Sequence, residues 1–339
     1  MARPSELDIA AVMAGSVDAL PGDGAILVVN DATGAIIRAM CARLGLAKER
    51  LIAWHRRLPS ARGVNAMPWP PAGPFAAAIV RLPKARAELD MTLHAVASVL
   101  APGAPLWLYG ANDEGIKSAA KPMAALLGPV SVVDTRGHCR VLMAKRPADI
   151  GALRPTLADW RQRVEFEIAG ARASFVTYPG LFAQGRLDAG TRLLLEHLPE
   201  LRPESAVLDF GAGMGVVAAA VRTRWPEARL TLVDTDAVAL EAARENVPAA
   251  AYETGLGAVH PESLDAILSN PPIHDGKQED HGALEALIRR APEILRRGGT
   301  IEIVVQRRVG AGQLIREVFG DCSVVAEDGV FQVLRAIRR

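Results

Sequence analysis

Short apolar runs alternate with helix-like runs through most of this 339-residue chain, and the alternation occurs twice. Such alternation predicts a parallel sheet covered by helices. In the first half we predict strands at 25–30, 75–81, 105–109, 130–134 and 138–144, and helices from 34 to about 45 and at 86–100. In the second half we predict strands at 206–210, 229–233, 264–269, 300–305, 322–326 and 330–335, and helices from 215 to about 225, at 237–246 and at 282–295. The pattern therefore indicates an α/β fold made of two tandem sheets.

A segment rich in proline and turn residues, 146–155, separates the halves. We place the boundary there, which predicts domains 1–150 and 151–339. The runs 164–168 and 172–176 alternate like a β-hairpin and open the second domain.

Cysteine usage and hydropathy exclude several protein classes. The three cysteines are far apart, so the sequence indicates neither a disulfide framework nor a metal site. Residues 1–20 are acidic and do not resemble a secretory signal. Prolines interrupt the two long uncharged stretches, 63–80 and 91–112, so we predict no membrane segment. We expect a cytoplasmic protein.

The net charge of +1 conceals an asymmetry between the halves. Residues 1–150 contain 17 Lys and Arg against 12 Asp and Glu, whereas residues 151–339 contain 22 against 26. A basic first half favours contact with a polyanion.

A glycine-rich turn, with Gly211, Gly213 and Gly215, follows the first strand of the second half. Such a turn lets backbone N–H groups approach a ligand, although it also occurs in dinucleotide dehydrogenases and in turns that bind nothing. Asp209 precedes the glycines, where a carboxylate can hold water or contact a cationic amino-acid moiety. Asp234 ends the next strand, where an acid accepts hydrogen bonds from ribose. A helix cap is the alternative for Asp234, but its neighbours could supply one.

The tetrapeptide Asn270, Pro271, Pro272, Ile273 follows the strand at 264–269. Ligands of open α/β sheets bind at the carboxyl ends of strands, so this loop should border the same cleft. The prolines remove two backbone donors and leave mainly acceptors, the Asn270 side-chain oxygen and the Pro271 carbonyl. Two acceptors can orient an exocyclic amine and stabilise its developing positive charge. Asn-Pro is also a common start of a turn.

With these motifs, the chain resembles the class I methyltransferases that modify exocyclic amines. It more closely resembles the bacterial RsmC-like 16S ribosomal RNA guanine-N2 methyltransferases. The resemblance rests on the glycine loop and on Tyr178-Pro-Gly-Leu-Phe182, Leu187-Asp-Ala-Gly-Thr191, Ser269-Asn-Pro-Pro-Ile-His-Asp-Gly276, Val330–Ile337 and Tyr109–Ser118.

The resemblance implies tandem Rossmann-like domains, of which the N-terminal one is degenerate and docks RNA. S-adenosyl-L-methionine would be the cofactor, and the segment 178–190, with Phe182 and Asp188, would fold over it. Asn270 to Pro272 would grip the guanine amine, with Ile273 beside them. The implied partner is ribosomal RNA or the small ribosomal subunit, and we expect a monomer.

The chain departs from the family pattern at several positions. Ile273 stands where the family usually has an aromatic residue. Glu253 or Thr254, or a backbone N–H, must replace an acid near the cofactor adenine, and 306–312 replaces an asparagine-containing sequence. Two alternatives therefore stay open: a methyltransferase for DNA adenine or protein glutamine, and a catalytically inactive RNA-binding assembly protein.

Overall fold

The computed structural model describes residues 4–18, 20–21, 23–58, 65–168, 170–181, 187–271 and 278–339, without the side chains of 278–281. The chain divides into two compact units, Met1–Arg161 and Gln162–Arg339. Each unit has its own sheet.

The first unit contains a six-stranded sheet flanked by helices, as far as its described residues show. Its elements are α1 (Glu6–Gly15), β1 (Ile26–Val29), α2 (Ala35–Leu44), β2 (Leu51–Trp54), β3 (Ala77–Arg81), α3 (Arg86–Val99), β4 (Pro105–Ala111), α4 (Ile116–Leu127), β5 (Ser131–Asp134) and β6 (Cys139–Lys145). The strand order is β2-β1-β3-β4-β6-β5. The first four strands in this order pair in parallel, and β6 pairs antiparallel with β4 and β5.

The second unit begins with a hairpin and continues as a seven-stranded sheet in the described part of the chain. Its elements are β7 (Gln162–Ile168), β8 (Ala171–Thr177), α5 (Ala189–Glu196), β9 (Ala206–Phe210), α6 (Val216–Arg224), β10 (Arg229–Val233), α7 (Ala237–Asn246), β11 (Ala251–Glu253), β12 (Leu264–Ser269), α8 (Gln278–Ile294), β13 (Leu295–Gln306), α9 (Ala311–Phe319), β14 (Ser323–Glu327) and β15 (Phe331–Ile337). The strand order is β11-β10-β9-β12-β13-β15-β14, with only β15 antiparallel to its neighbours.

The two sheets have corresponding topologies. If the edge strand β11 is set aside, the order β10-β9-β12-β13-β15-β14 repeats β2-β1-β3-β4-β6-β5 strand for strand. In both units the last two strands form an antiparallel pair at the edge. This confirms the predicted tandem α/β architecture.

Both faces of each sheet are buried at its central strands, which explains why these strands are mostly apolar. In β1, Ile26 and Val28 pack into one core while Leu27 and Val29 pack into another on the opposite face. In β9, the neighbours Val207 and Leu208 divide in the same way.

The predicted central strands and the opening hairpin are confirmed, and some element boundaries need correction. The helix predicted over 282–295 begins earlier, at Gln278, and ends at Ile294, because Leu295 already belongs to β13. Helices α1, α4, α5 and α9 and strands β2 and β11 were not predicted. Within the described residues, no helix is long and apolar enough to cross a membrane.

Candidate active site

The glycine loop lies between the carboxyl end of β9 and the start of α6. Gly211, Gly213 and Gly215 have φ values of 70°, 55° and 85°, which favour glycine. A Cβ at Gly215 would lie 2.9 Å from Val247 Cγ2, whereas one at Gly213 would meet nothing within 4 Å. Gly215 therefore permits close packing beneath the loop, and Gly213 leaves its backbone open to a ligand.

Asp234 follows β10, and its carboxylate is bonded to the glycine loop. Oδ2 accepts a hydrogen bond from the Gly213 N–H at 2.8 Å, and Oδ1 accepts one from the Asp236 N–H at 2.8 Å. Asp236 caps α7 by accepting from the Val238 N–H. Asp236, and not Asp234, therefore caps α7. Asp234 lies half-buried beside Gly213.

Asp209 lies inside the core beneath the loop, with only 3% of the residue exposed. Its Oδ2 accepts a hydrogen bond from the Ala218 N–H in the first turn of α6, at 3.0 Å. Burial raises the pKa of Asp209 to about 7; the bond from Ala218 opposes this shift, and the charge of Asp234 adds to it. The structure therefore places Asp209 where it joins β9 to α6.

Asn270 follows β12 at the same edge of the sheet. The Ser269 hydroxyl donates to the Phe210 carbonyl at 2.7 Å, which fixes the end of β12 to the end of β9. The Asn270 Nδ2 donates to Asp188 Oδ2 and to Thr191 Oγ1, both at 2.8 Å. Because these bonds use both amide hydrogens, the Asn270 Oδ1 is the atom that can accept from a substrate.

Asp188 lies at the start of α5 and performs two tasks with one oxygen. Its Oδ2 accepts from the Thr191 N–H at 3.0 Å, which caps the helix, and also from Asn270. The resemblance placed Asp188 among cofactor-binding residues; the structure places it against Asn270. Pro271 is buried, whereas Pro272, Ile273 and Phe182 lie outside the described residues.

The sequence analysis gave no role to two polar residues of the site region: Thr191, named there only as part of a motif, and Asn246. The Asn246 Nδ2 donates to the Val176 and Met214 carbonyls at 2.9 Å, and its Oδ1 accepts from the Val176 N–H at 2.7 Å. Asn246 thereby joins β8 to the glycine loop. These partners are distant in sequence, and an asparagine at the end of a helix gives no local signal for them.

The residues expected near the cofactor adenine also lie at this edge. Glu253 ends β11, and its carbonyl accepts from the Asp234 N–H at 3.1 Å. Glu253 and Thr254 are both half-buried. Their backbone is therefore held beside Asp234.

The corresponding edge of the first unit has different chemistry. Arg81 ends β3, the counterpart of β12, and is 7% exposed. Its guanidinium donates to Glu6 and to Glu114 at 2.7–3.1 Å. After β1, the counterpart of β9, Asp31 accepts from two N–H groups of α2. A buried ion-paired arginine therefore lies where the second unit has Asn270.

Comparison with known proteins agrees with this division of the chain. The family described as methyltransferase small domain matches residues 172–335, and its N-terminal counterpart matches residues 52–163. Ribosomal RNA small subunit methyltransferase C of Pseudomonas fluorescens is 38% identical over 284 residues, 81% of this chain and 82% of its own length. The protein of the same name from Stutzerimonas stutzeri is 36% identical over 275 residues, covering 79% of this chain and 81% of its own.

A solved structure has the same fold over nearly the whole chain. The 16S rRNA N2 G1207 methyltransferase (RsmC) of T. Thermophilus, solved with AdoMet and guanosine, superposes with a TM-score of 0.79. The likeness covers 98% of this chain and 92% of that one, at 24% identity.

The tandem sheets, the glycine loop and the Asn-Pro sequence at the end of β12 define a two-domain methyltransferase of the small-domain class. The relatives above share more than a third of their residues with this chain over about four fifths of its length. The chain belongs to the family of ribosomal RNA small subunit methyltransferase C.

Proposed function

We propose that this protein transfers a methyl group from S-adenosyl-L-methionine to the exocyclic N2 amine of a guanine in 16S ribosomal RNA. The observation that carries the proposal is the orientation of Asn270. Its two amide hydrogens are used within the protein, so its oxygen is the atom left to accept from a substrate, at the strand edge that also carries the glycine loop. The names of the relatives and of the T. Thermophilus protein supply the class of substrate.

The residues at this edge fit the proposed cofactor. The open space above Gly213 admits a ligand against the backbone, and the Asp234 carboxylate offers acceptors for ribose hydroxyls. Gly211, Gly215 and the buried Asp209 shape the loop, and Phe182 and Asp188 belong to the segment proposed to cover it. When bound, S-adenosylmethionine supplies a methyl group on a sulfonium sulfur.

The protein's contribution to the chemistry is orientation and charge stabilisation. The lone pair of the guanine amine is delocalised into the ring, so the amine is a poor nucleophile. Asn270 Oδ1 and the Pro271 carbonyl accept its two N–H groups, aim the nitrogen and stabilise the positive charge that forms with the new N–C bond. The excess proton then leaves to solvent. Pro272 and Ile273 complete the proposed catalytic tetrapeptide on the basis of the sequence alone.

The first domain, proposed as residues 1–150, docks RNA without binding cofactor. Its balance of 17 basic to 12 acidic residues favours phosphate contact. The buried Arg81 at its sheet edge is incompatible with a second copy of the acceptor site. We propose that the protein acts as a monomer in the cytoplasm, on the small ribosomal subunit or its RNA.

Asn270→Ala tests this function directly. The variant should lose methyl transfer to 16S ribosomal RNA, measured with tritiated S-adenosylmethionine, because the acceptor amine is no longer oriented. Its cofactor affinity, measured by calorimetry, should stay within about twofold. Near wild-type turnover would refute the amine-orienting mechanism. Cofactor binding by the wild-type protein without transfer to any RNA would favour an assembly protein.

A further inference from the structure

The motif Leu187-Asp-Ala-Gly-Thr191 has a chemical role that the proposed function does not yet include. We propose that Asp188 and Thr191 are positioning residues for Asn270: they fix which way its amide points and polarise its oxygen toward the acceptor amine. This inference rests on the proposed function, since it concerns the same site. It assigns to Asp188 a role other than cofactor contact.

The orientation of the Asn270 amide follows from the chemistry of its partners. A carboxylate only accepts hydrogen bonds, so the side of the amide that faces Asp188 must be the NH₂ side. The distances from Nδ2 to Asp188 Oδ2 and Thr191 Oγ1 are both 2.8 Å. A flipped amide would set Oδ1 against the carboxylate and direct two donors at an amine that itself needs acceptors. Asp188 and Thr191 therefore select the productive orientation.

Asp188 also changes the electronic character of the amide. A hydrogen bond from an amide N–H to an anion is charge-assisted, and it increases delocalisation of the nitrogen lone pair toward the carbonyl. The Asn270 Oδ1 thus becomes a stronger acceptor at the moment when positive charge develops on the substrate nitrogen. No proton needs to move through Asp188 for this effect.

Gly190 also contributes to this arrangement, because it leaves room for the Asp188 carboxylate. A Cβ at this position would lie 3.0 Å from Asp188 Oδ2 and 3.2 Å from the Phe331 ring. The oxygen it would press upon is the one that accepts from Asn270. Three residues of the motif thus serve Asn270: Asp188 accepts one N–H, Gly190 leaves space, and Thr191 accepts the other N–H.

The first experiment separates helix capping from the contact with Asn270. Serine caps helices about as well as aspartate does, but its side chain is too short to reach Asn270. Asp188→Ser should therefore keep the melting temperature and lower kcat about 10- to 100-fold. The KM for RNA and the Kd for S-adenosylmethionine should stay within about twofold.

Thr191 provides the second variant, with a conservative rescue. Thr191→Val is nearly isosteric and keeps the backbone N–H that donates to Asp188, the cap of α5. It removes the hydroxyl that accepts from Asn270. It should lower kcat, whereas Thr191→Ser should restore it. Thr223→Val, which removes an exposed hydroxyl on α6, is the matched control and should have no effect.

Gly190→Ala and Gly312→Ala form a matched pair. Both glycines are the second residue of a helix and follow an alanine, but a Cβ at Gly312 would meet its neighbours only at 3.8 Å or beyond. Gly190→Ala should lower kcat without weakening cofactor binding, and Gly312→Ala should behave as wild type.

A measurement without turnover completes the test. The side-chain NH₂ resonances of Asn270, assigned in ¹⁵N-asparagine-labelled full chain by their loss in Asn270→Ala, should shift in Asp188→Ser. Wild-type kcat in Asp188→Ser, or a fall in cofactor affinity as large as the fall in kcat, would overturn the inference. Failure of the wild-type protein to methylate RNA would refute the proposed function instead, so the two failures are distinguishable.

Discussion

Asp209 carries a carboxyl whose pKa burial raises from 3.8 to about 7. An acid with a raised pKa in the folded state favours its protonated form, so ionisation costs stability as pH rises from about 4 to about 7. Asp209→Asn keeps an acceptor for the Ala218 N–H and cannot ionise. We predict that the variant exceeds the wild type in free energy of unfolding by up to about 4 kcal/mol at pH 8 and matches it near pH 4. Denaturant titrations at both pH values measure this.

Asp265 is the matched control because its pKa is shifted in the opposite direction. Burial alone would raise that pKa, but hydrogen bonds from Ala206 and Arg296 and the charge of Arg202 lower it overall. Asp265→Asn should therefore be less stable than wild type at pH 8, and the gap should close as pH falls below the usual aspartate range. The same pH trend for both variants would contradict the assignment to Asp209.

Asp234 is expected to contribute directly to cofactor affinity. Asp234→Asn replaces the charged acceptor beside Gly213 with a neutral amide. We predict a loss of about 1.5–3 kcal/mol in S-adenosylmethionine binding, the usual contribution of a hydrogen bond to a charged group. Asp236→Ser, which preserves the cap of α7, should change the affinity by less than about twofold. Unchanged calorimetric affinity in Asp234→Asn would place the site elsewhere.

At the residue scale, sequence reasoning found groups whose type and place in a strand–loop pattern carry chemical meaning. Asp234 and Asn270 were identified because polar residues at the carboxyl ends of parallel strands meet at one edge. The roles of Thr191 and Asn246 were not identified. Thr191 bonds to Asn270, 79 residues away, and Asn246 bonds to residues that lie 32 and 70 positions away. No local pattern encodes those contacts.

At the scale of elements, two glycines of the same loop are needed for different reasons: Gly215 for packing and Gly213 for access of the cofactor to the backbone. Gly215→Ala combines positive-φ strain with a contact at 2.9 Å from Val247, so we predict a loss of about 2–4 kcal/mol in the free energy of unfolding. Gly213→Ala suffers only the strain, about 1–2 kcal/mol, but places a methyl group in the open space. It should weaken S-adenosylmethionine binding at least about tenfold.

Thermal unfolding and calorimetry on both variants check this pair. We expect the larger loss of stability in Gly215→Ala and, relative to the loss of stability, the larger loss of cofactor affinity in Gly213→Ala. The reverse ranking would mean that the cofactor does not approach the loop at Gly213.

Elements were predicted well where burial alone determines the pattern. The central strands β1, β3, β9 and β12 are mostly apolar and almost entirely buried, so each gives a recognisable apolar run. The missed strands β2 and β11 have only four and three residues and lie partly exposed at sheet edges, so each gives too short a run to be distinguished from a loop. Helix α5 has only eight residues, and the segment that was expected to cover the cofactor, 178–190, ends at its second residue.

At the scale of the whole molecule, the repeated strand order explains why the sequence shows one pattern twice. The two units share a topology but have different residues at the functional edge: Asn270 and the glycine loop in one, the ion-paired Arg81 in the other. The fold could be predicted from periodicity. The ion-paired Arg81 at the corresponding edge of the first unit could not, because Glu6 and Glu114 are distant from it in sequence and contact it only in the folded chain.

The proposed docking role of the first unit predicts a salt-dependent effect. Lys117 and Lys121 are exposed, one turn apart on α4. Replacing both with Glu in the full chain should weaken RNA binding and reduce the slope of log affinity against log salt by about 0.7–0.9 for each phosphate that is no longer neutralised. Cofactor affinity should not change.

The control for this prediction lies in the second unit. The double variant Arg229→Glu, Arg297→Glu makes the same change in charge at two exposed positions. These lie near the amino ends of β10 and of the parallel part of β13, at the edge opposite the functional one. Filter-binding across a salt series compares the pairs. Equal losses for both would mean that net charge, and not the first unit, determines RNA affinity.

The most direct test is the identity of the methylated nucleoside. Small ribosomal subunits and free 16S ribosomal RNA from a strain lacking this gene are incubated with the protein and tritiated S-adenosylmethionine, and the RNA is digested to nucleosides. We expect label in N2-methylguanosine with the wild-type protein and none with Asn270→Ala. Label in any other nucleoside, or N2-methylguanosine formed equally well by Asn270→Ala, would contradict it.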